Sequence, residues 1–304
     1  MKSLLPYIAL LSVSIIYGAS YVVAKGVMPN IIGPSGFIML RAVGAAVLFW
    51  IILLMRWELP AKKDILRLAV CGMFGVAVNQ LFFFNGLNLT SAMNSSIIIT
   101  TNPIMVLIIA ALFLGEKITL RKGVGVILGF IGAILLIWLG SQNKDAGTSI
   151  RGDLFILINS MSYAIYLVTV KPLMSRYRPL TVIAWVFLFG MLYVIPFGYS
   201  QFTEVDWSAL NGVQFRSIAF VVLFATFGVY LLNVYALKSV SPSVVSSFIY
   251  LQPVMAGIFS WIFFSLGTYS KVAPDFSWGM VGATGLIFIG VWLVSRKKVK
   301  LLEP

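Results

Sequence analysis

The chain has 304 residues, 60% of them hydrophobic and only 10% charged, and its mean hydropathy is +1.00. That balance excludes an ordinary soluble domain and points to an integral membrane protein. The formal net charge of +13 follows loop position, so it reports membrane topology and not a nucleic-acid partner.

Crossing hydrocarbon takes roughly 20 apolar residues. Stretches of that kind fall at about 4–24, 34–55, 66–86, 92–114, 122–139, 152–171, 180–199, 213–236, 243–264 and 277–294. The expected fold is therefore all-α: ten transmembrane helices joined by short loops, with no room for a separate catalytic domain. Sixteen of the 22 lysines and arginines lie on the side that holds both termini; the other six are Lys25, Lys144, Arg151, Arg216, Lys271 and the intramembrane Arg41. By the positive-inside rule both termini are cytoplasmic.

The first stretch carries Lys25 where a signal peptide would carry a small-residue cleavage site, so it reads as a retained helix. Tyr17, Tyr21 and Lys25 form one stripe on it at i, i+4 and i+8. The second stretch opens at Pro34 and contains Arg41, a charge that either lines a pathway, as a gating or substrate residue, or snorkels to headgroups. Asn79 and Gln80 on the third stretch serve either a cavity wall or helix packing.

In the fourth stretch a polar step meets a helix breaker, Thr100-Thr101-Asn102-Pro103, and the ninth repeats it as Tyr250-Leu251-Gln252-Pro253. Proline has no N–H to donate and strains the preceding turn, so each helix is expected to kink, with Pro103 and Pro253 as hinges. Irregular backbone at membrane depth is tolerated against protein or a water-filled cavity. Thr101, Asn102, Tyr250 and Gln252 thereby become candidates for a substrate site.

Glycines crowd the fifth and tenth stretches, including Gly125-x-x-x-Gly129. That spacing serves close packing either within the fold or across a homodimer. The sixth stretch, with Tyr163, Tyr166 and Lys171, echoes Tyr17 to Lys25 at an offset of 146; the eighth adds Tyr230 and Asn233. Leu87 matches Leu237 and Pro103 matches Pro253 at 150, and Gly129 and Gly132 match Gly282 and Gly285 at 153. Two five-helix repeats are indicated, residues 1–140 and 152–304, joined by the polar linker 141–151. Five is odd, so the second repeat is inverted, an architecture in which transporters hold substrate near the midplane. The candidate substrate-binding residues are thus Tyr17, Tyr21, Asn79, Gln80, Thr101, Asn102, Tyr163, Tyr166, Tyr230, Asn233, Tyr250 and Gln252.

Chemistry other than transport finds little support. The chain has one cysteine, Cys71, and no histidine, so neither a disulfide nor a cysteine or histidine metal cluster is available, and no cofactor is implied. No carboxylate lies mid-span to act as an enzyme's general base or as a proton relay. No Gly-x-x-x-x-Gly-Lys-Ser/Thr loop is present for ATP. A channel or a lipid flippase stands as the alternative to a secondary carrier.

The order of motifs resembles the EamA-type permeases of the drug/metabolite transporter superfamily over essentially the whole chain. The resemblance rests on Tyr17-Gly18-Ala19-Ser20-Tyr21 ending in Lys25, on Arg41-Ala42, on Asn102-Pro103 followed by Leu114-Gly115-Glu116, and on Gly152-Asp153. Leu266-Gly267-Thr268 departs from the Gly-Glu that many members repeat after the ninth helix. Such a resemblance implies transport across an inner or plasma membrane, often export, of amino acids or other small metabolites through a central cavity.

Overall fold

A computed structural model describes residues 4–25, 27–28, 31–55, 57–89, 98–140, 149–267 and 278–295. Among them every regular element is helical. In chain order they are α1 (Leu5–Lys25), α2 (Pro34–Leu54), α3 (Lys62–Leu89), α4 (Asn102–Leu114) and α5 (Leu120–Gly140). There follow α6 (Ile150–Val170), α7 (Pro179–Thr203), α8 (Gly212–Ser239), α9 (Pro242–Ser265) and α10 (Trp278–Ser295). Eight helical segments are long and apolar enough to cross a membrane, while Leu5–Ser20 and Asn102–Leu114 are shorter apolar helices. Residues 92–97 of the expected 92–114 span, and 141–148 of the expected linker, lie outside the described residues.

The proline steps take a different form from the expected kinks. Ile98 and Ile99 are helical, Thr100 and Thr101 form a turn, and α4 starts afresh at Asn102 with Pro103 in its first turn. In α9 a short 3₁₀ segment, Phe248–Leu251, precedes the α-helical run that starts at Gln252 with Pro253. A proline in the first helical turn gives up no hydrogen bond, because the N–H it lacks has no intrahelical acceptor there. The chain therefore restarts a helix at each step, where a continuous helix would bend. Both restarted helices end near a glycine with φ of 64°, Gly115 and Gly267, the left-handed conformation that a side chain resists.

A second matched pair lies mid-helix. α3 widens into a π-helical turn over Met73–Val78, and α8 does so over Leu223–Gly228, 150 residues later. Such turns leave backbone carbonyls free of the regular i→i−4 ladder, and here side chains from other elements collect them. The Ser162 hydroxyl donates to Phe74 O at 2.6 Å, and the Tyr230 hydroxyl donates to Gly75 O at 3.0 Å.

Packing pairs α2 with α7, α3 with α6, α5 with α10, and α1 with both α8 and α9. Small residues permit the closest of these. A Cβ on Gly290 would stand 2.6 Å from the carbonyl oxygen of Gly125 and 2.6 Å from the amide nitrogen of Gly129. The Gly125-x-x-x-Gly129 face is thus occupied by α10 of the same chain. Many apolar side chains, Leu112, Phe113, Phe197 and Trp292 among them, remain exposed on the outside of the bundle, as a lipid-facing surface requires.

The two ends of the bundle differ. At one, Gln201 of α7 accepts from the amides of Ser35 (2.8 Å) and Gly36 (3.1 Å), capping the first turn of α2. At the other, helices are cross-tied by charge. Arg176 donates to Asp64 at 2.7 Å, and Tyr177 donates to the second oxygen of Asp64 at 2.8 Å while accepting from Ala61 N at 2.9 Å. Thr181 and the Arg178 amide both donate to Glu58. The Lys171 ammonium caps the C-terminal turn of α8, donating to Leu237 O and to Val240 O; a cation suits the negative end of a helix dipole.

Candidate functional site: a cavity between the two halves

A cavity of about 530 Å³ lies among α1, α2, α3, α4, α6, α8 and α9. Its lining runs from Arg41, Gln80, Asn102 and Tyr230 deep in the bundle to Met28, Pro34 and Asn88 at the end capped by Gln201. Toward the cross-tied end, rings fill the space below it. Phe187 meets Tyr230 edge-on at 4.8 Å, and Phe49 lies 5.1 Å from Phe187 and 4.6 Å from Phe227.

Each polar wall residue is placed by an identifiable cause. Asn79 and Gln80 follow directly on the π turn of α3. Asn79 exchanges hydrogen bonds with Asn159 of α6, whose amide donates to Asn79 O at 2.7 Å and whose carbonyl accepts from Asn79 at 3.4 Å. Gln80 donates to the Tyr230 hydroxyl at 3.1 Å. That hydroxyl spends its one proton on Gly75 O, so the Gln80 amide nitrogen must face it and the Gln80 oxygen must face away. Asn102 donates to Ser160 O at 2.7 Å, which fixes its amide in the same manner. The side-chain oxygens of Gln80 and Asn102 and the Ser160 hydroxyl then have no hydrogen-bond partner among the described residues. Leaving a buried acceptor unpaired costs about 1–3 kcal/mol.

Among the described residues, Arg41 is the one charged side chain that lines the cavity. Its Nε donates to Thr226 at 2.9 Å, and Thr226 in turn donates to Val221 O beside the π turn of α8. The guanidinium lies 5.7 Å from the centre of the Phe37 ring and 5.2 Å from that of Phe84. Aromatic faces of that kind stabilise a cation electrostatically. Tyr17 and Tyr230, neutral phenols, are its titratable neighbours.

Of the residues singled out in the sequence, Tyr17, Arg41, Asn79, Gln80, Asn102, Tyr163, Tyr230, Gln252 and Pro253 line this cavity. Asn233 lines a much smaller adjoining hollow with Tyr17, Tyr163 and Gln252. Tyr166 and Tyr250 stand away from it. Each is fully buried with its ring against a glycine, Gly75 and Gly129 respectively, where a Cβ would lie 2.4 Å from the ring. Thr101 turns back to Ile98 O at 2.6 Å and Pro103 is buried in packing; neither is part of the lining, and Thr100 is. The side chain of Tyr21 lies outside the described residues. Asn159, Ser160, Phe83, Phe84 and Asn88 join the wall without having been singled out. Asn159 and Ser160 precede Tyr163 by four and three residues, a helical spacing that places them beside a residue already selected.

A bundle of apolar helices around a partly polar cavity, with rings packed below it toward the cross-tied end, is an architecture that suits a membrane transporter. The chain belongs to the EamA-like transporter family, which matches residues 4–138 and again 150–296, and so to the drug/metabolite transporter superfamily. An uncharacterized transporter of Archaeoglobus fulgidus is 28% identical over 88% of this chain and 90% of its own length. The Bacillus subtilis transporter YyaM is 29% identical over 97% and 95%, and a WAT1-related protein of Arabidopsis thaliana is 24% identical over 98% and 87%. One solved crystal structure superposes with a TM-score of 0.75 over 97% of each chain at 14% identity, a likeness of fold.

Proposed function

We propose that this protein is a secondary transporter that exports amino acids or related small amphipathic metabolites by alternating access. Ten spans in two inverted five-helix repeats would place both termini in the cytoplasm of a bacterial-type inner membrane. The cross-tied end is then cytoplasmic and the cavity faces outward. The observation that carries the reading is the cavity walled by residues of both family-matched halves, with aromatic rings packed below it toward the cross-tied end. A channel needs a path through, and the rings of Phe49, Phe187 and Phe227 stand below the cavity. Among the described residues the titratable neighbours of Arg41 are tyrosines and no carboxylate lines the cavity, so coupling is assigned to exchange or to a proton carried by the substrate.

The test is uptake of radiolabelled amino acids into proteoliposomes of the purified protein, with ion current and labelled-lipid scrambling measured in parallel. A rate that saturates with substrate is expected. A current that does not saturate would favour a channel, and lipid scrambling without uptake would favour a flippase.

A further inference from the structure

We infer that the cavity contains a carboxylate subsite built on Arg41, so that its ligands must carry a carboxylate and simple amines are rejected. The inference rests on the transport reading for what happens after binding, and on geometry alone for binding itself.

Arg41 is 7% exposed and lines the cavity, yet the described residues place no carboxylate within ion-pair distance of it. Its Nε is held by Thr226, and its guanidinium carbon lies over the rings of Phe37 and Phe84. These contacts hold the guanidinium in place and leave its terminal amino groups without an acceptor among the described residues. A buried cation so oriented is prepared for a planar anion, because two parallel N–H groups match the two oxygens of a carboxylate. One positive charge, with no second cation among the described residues of the lining, balances one carboxylate; a phosphate dianion would bring charge that none of those residues neutralises. An amine without a carboxylate would set a second positive charge beside the first, with no acid to receive it.

The other wall groups match the rest of such a molecule. Gln80, 4% exposed, and Asn102, 2% exposed, have their amide nitrogens committed to Tyr230 and to Ser160 O, which leaves two acceptor oxygens in need of donors. An ammonium or hydroxyl close to the ligand's carboxylate supplies such a donor. The structure thus favours amino and hydroxy acids, and the 530 Å³ cavity is within the usual range for small-molecule sites.

The experiment is a thermal-shift measurement on the full-length protein in nanodiscs at millimolar ligand. Three matched pools are compared: neutral L-amino acids, the α-amides of the same amino acids, and their decarboxylated amines. The acid pool alone should raise Tm; R41Q should weaken that response roughly a hundredfold, and R41K, which keeps the charge but loses the fork, should fall between. Should R41Q fail to fold, phenylglyoxal labelling of Arg41 in the unaltered protein replaces it, with the acid pool protecting and the amide pool not. An equal shift from amides or amines, no shift from any pool, or a full response in R41Q overturns the subsite. Flux in proteoliposomes separates the two claims. Acid binding without flux keeps the subsite and refutes the carrier, whereas saturable flux of amines that ignores R41Q keeps the carrier and refutes the subsite.

Discussion

Replacing Lys171 with methionine tests whether charge holds the cross-tied end closed. The substitution keeps an unbranched apolar stem and removes an ammonium that donates to Leu237 O and Val240 O, joining the end of α6 to the last turn of α8. A hydrogen bond from a charged donor contributes about 1.5–3 kcal/mol. Lys171 is partly exposed, and water can replace it at two carbonyls near the helix end, so about 1.5 kcal/mol for the pair is a fair discount. That corresponds to roughly a tenfold shift toward opening at this end. Hydrogen exchange of the protein in nanodiscs reads the shift directly, since local opening sets the exchange rate of protected amides. Exchange over residues 236–245 should quicken about tenfold in K171M and be restored in K171R, with the α2 turn capped by Gln201 unchanged. Unaltered exchange over 236–245, or an equal acceleration everywhere, would refute the latch.

Gly290→Ala drives a methyl group into the backbone of Gly125 and Gly129, and should lower stability by about 1–3 kcal/mol, read as a fall in Tm in detergent. Gln80→Leu removes the donor to Tyr230 while Tyr230 keeps its bond to Gly75 O; transport should fall at least tenfold, with stability changed by about 0.6 kcal/mol, the usual size of one such intramembrane bond. Pro103→Ala and Pro253→Ala stand in first helical turns, so each should cost under about 1 kcal/mol of stability and affect the transport rate more than the melt.

The broad architecture was legible because membrane insertion depends on composition. Apolar runs of fixed length and the sorting of lysines and arginines are direct consequences of the bilayer. The matched proline steps were visible too, as was the offset of 150 between Leu87 and Leu237. The π turns at Met73–Val78 and Leu223–Gly228 share that offset, but their sequences, Met-Phe-Gly-Val-Ala-Val and Leu-Phe-Ala-Thr-Phe-Gly, carry no local signal for a widened helix. The aromatic stripes show the limit of periodicity. Spacing assigns Tyr163 and Tyr166 to neighbouring directions on one helix, yet Tyr163 reaches the cavity while Tyr166 closes on Gly75. What divides them is the helix each one faces, and that is set by tertiary packing. Arg41 could be read from sequence as snorkelling or as lining a pathway; only the positions of Thr226, Phe37 and Phe84 direct its free edge.

The central claim is that one cavity serves both sides of the membrane in turn. Counterflow tests it most directly, with radiolabelled amino acid outside proteoliposomes that are either empty or preloaded with the unlabelled compound. A carrier predicts transient accumulation of label above equilibrium in the preloaded vesicles, abolished in Gln80→Leu. Equal, non-saturating entry of label into loaded and empty vesicles would contradict alternating access.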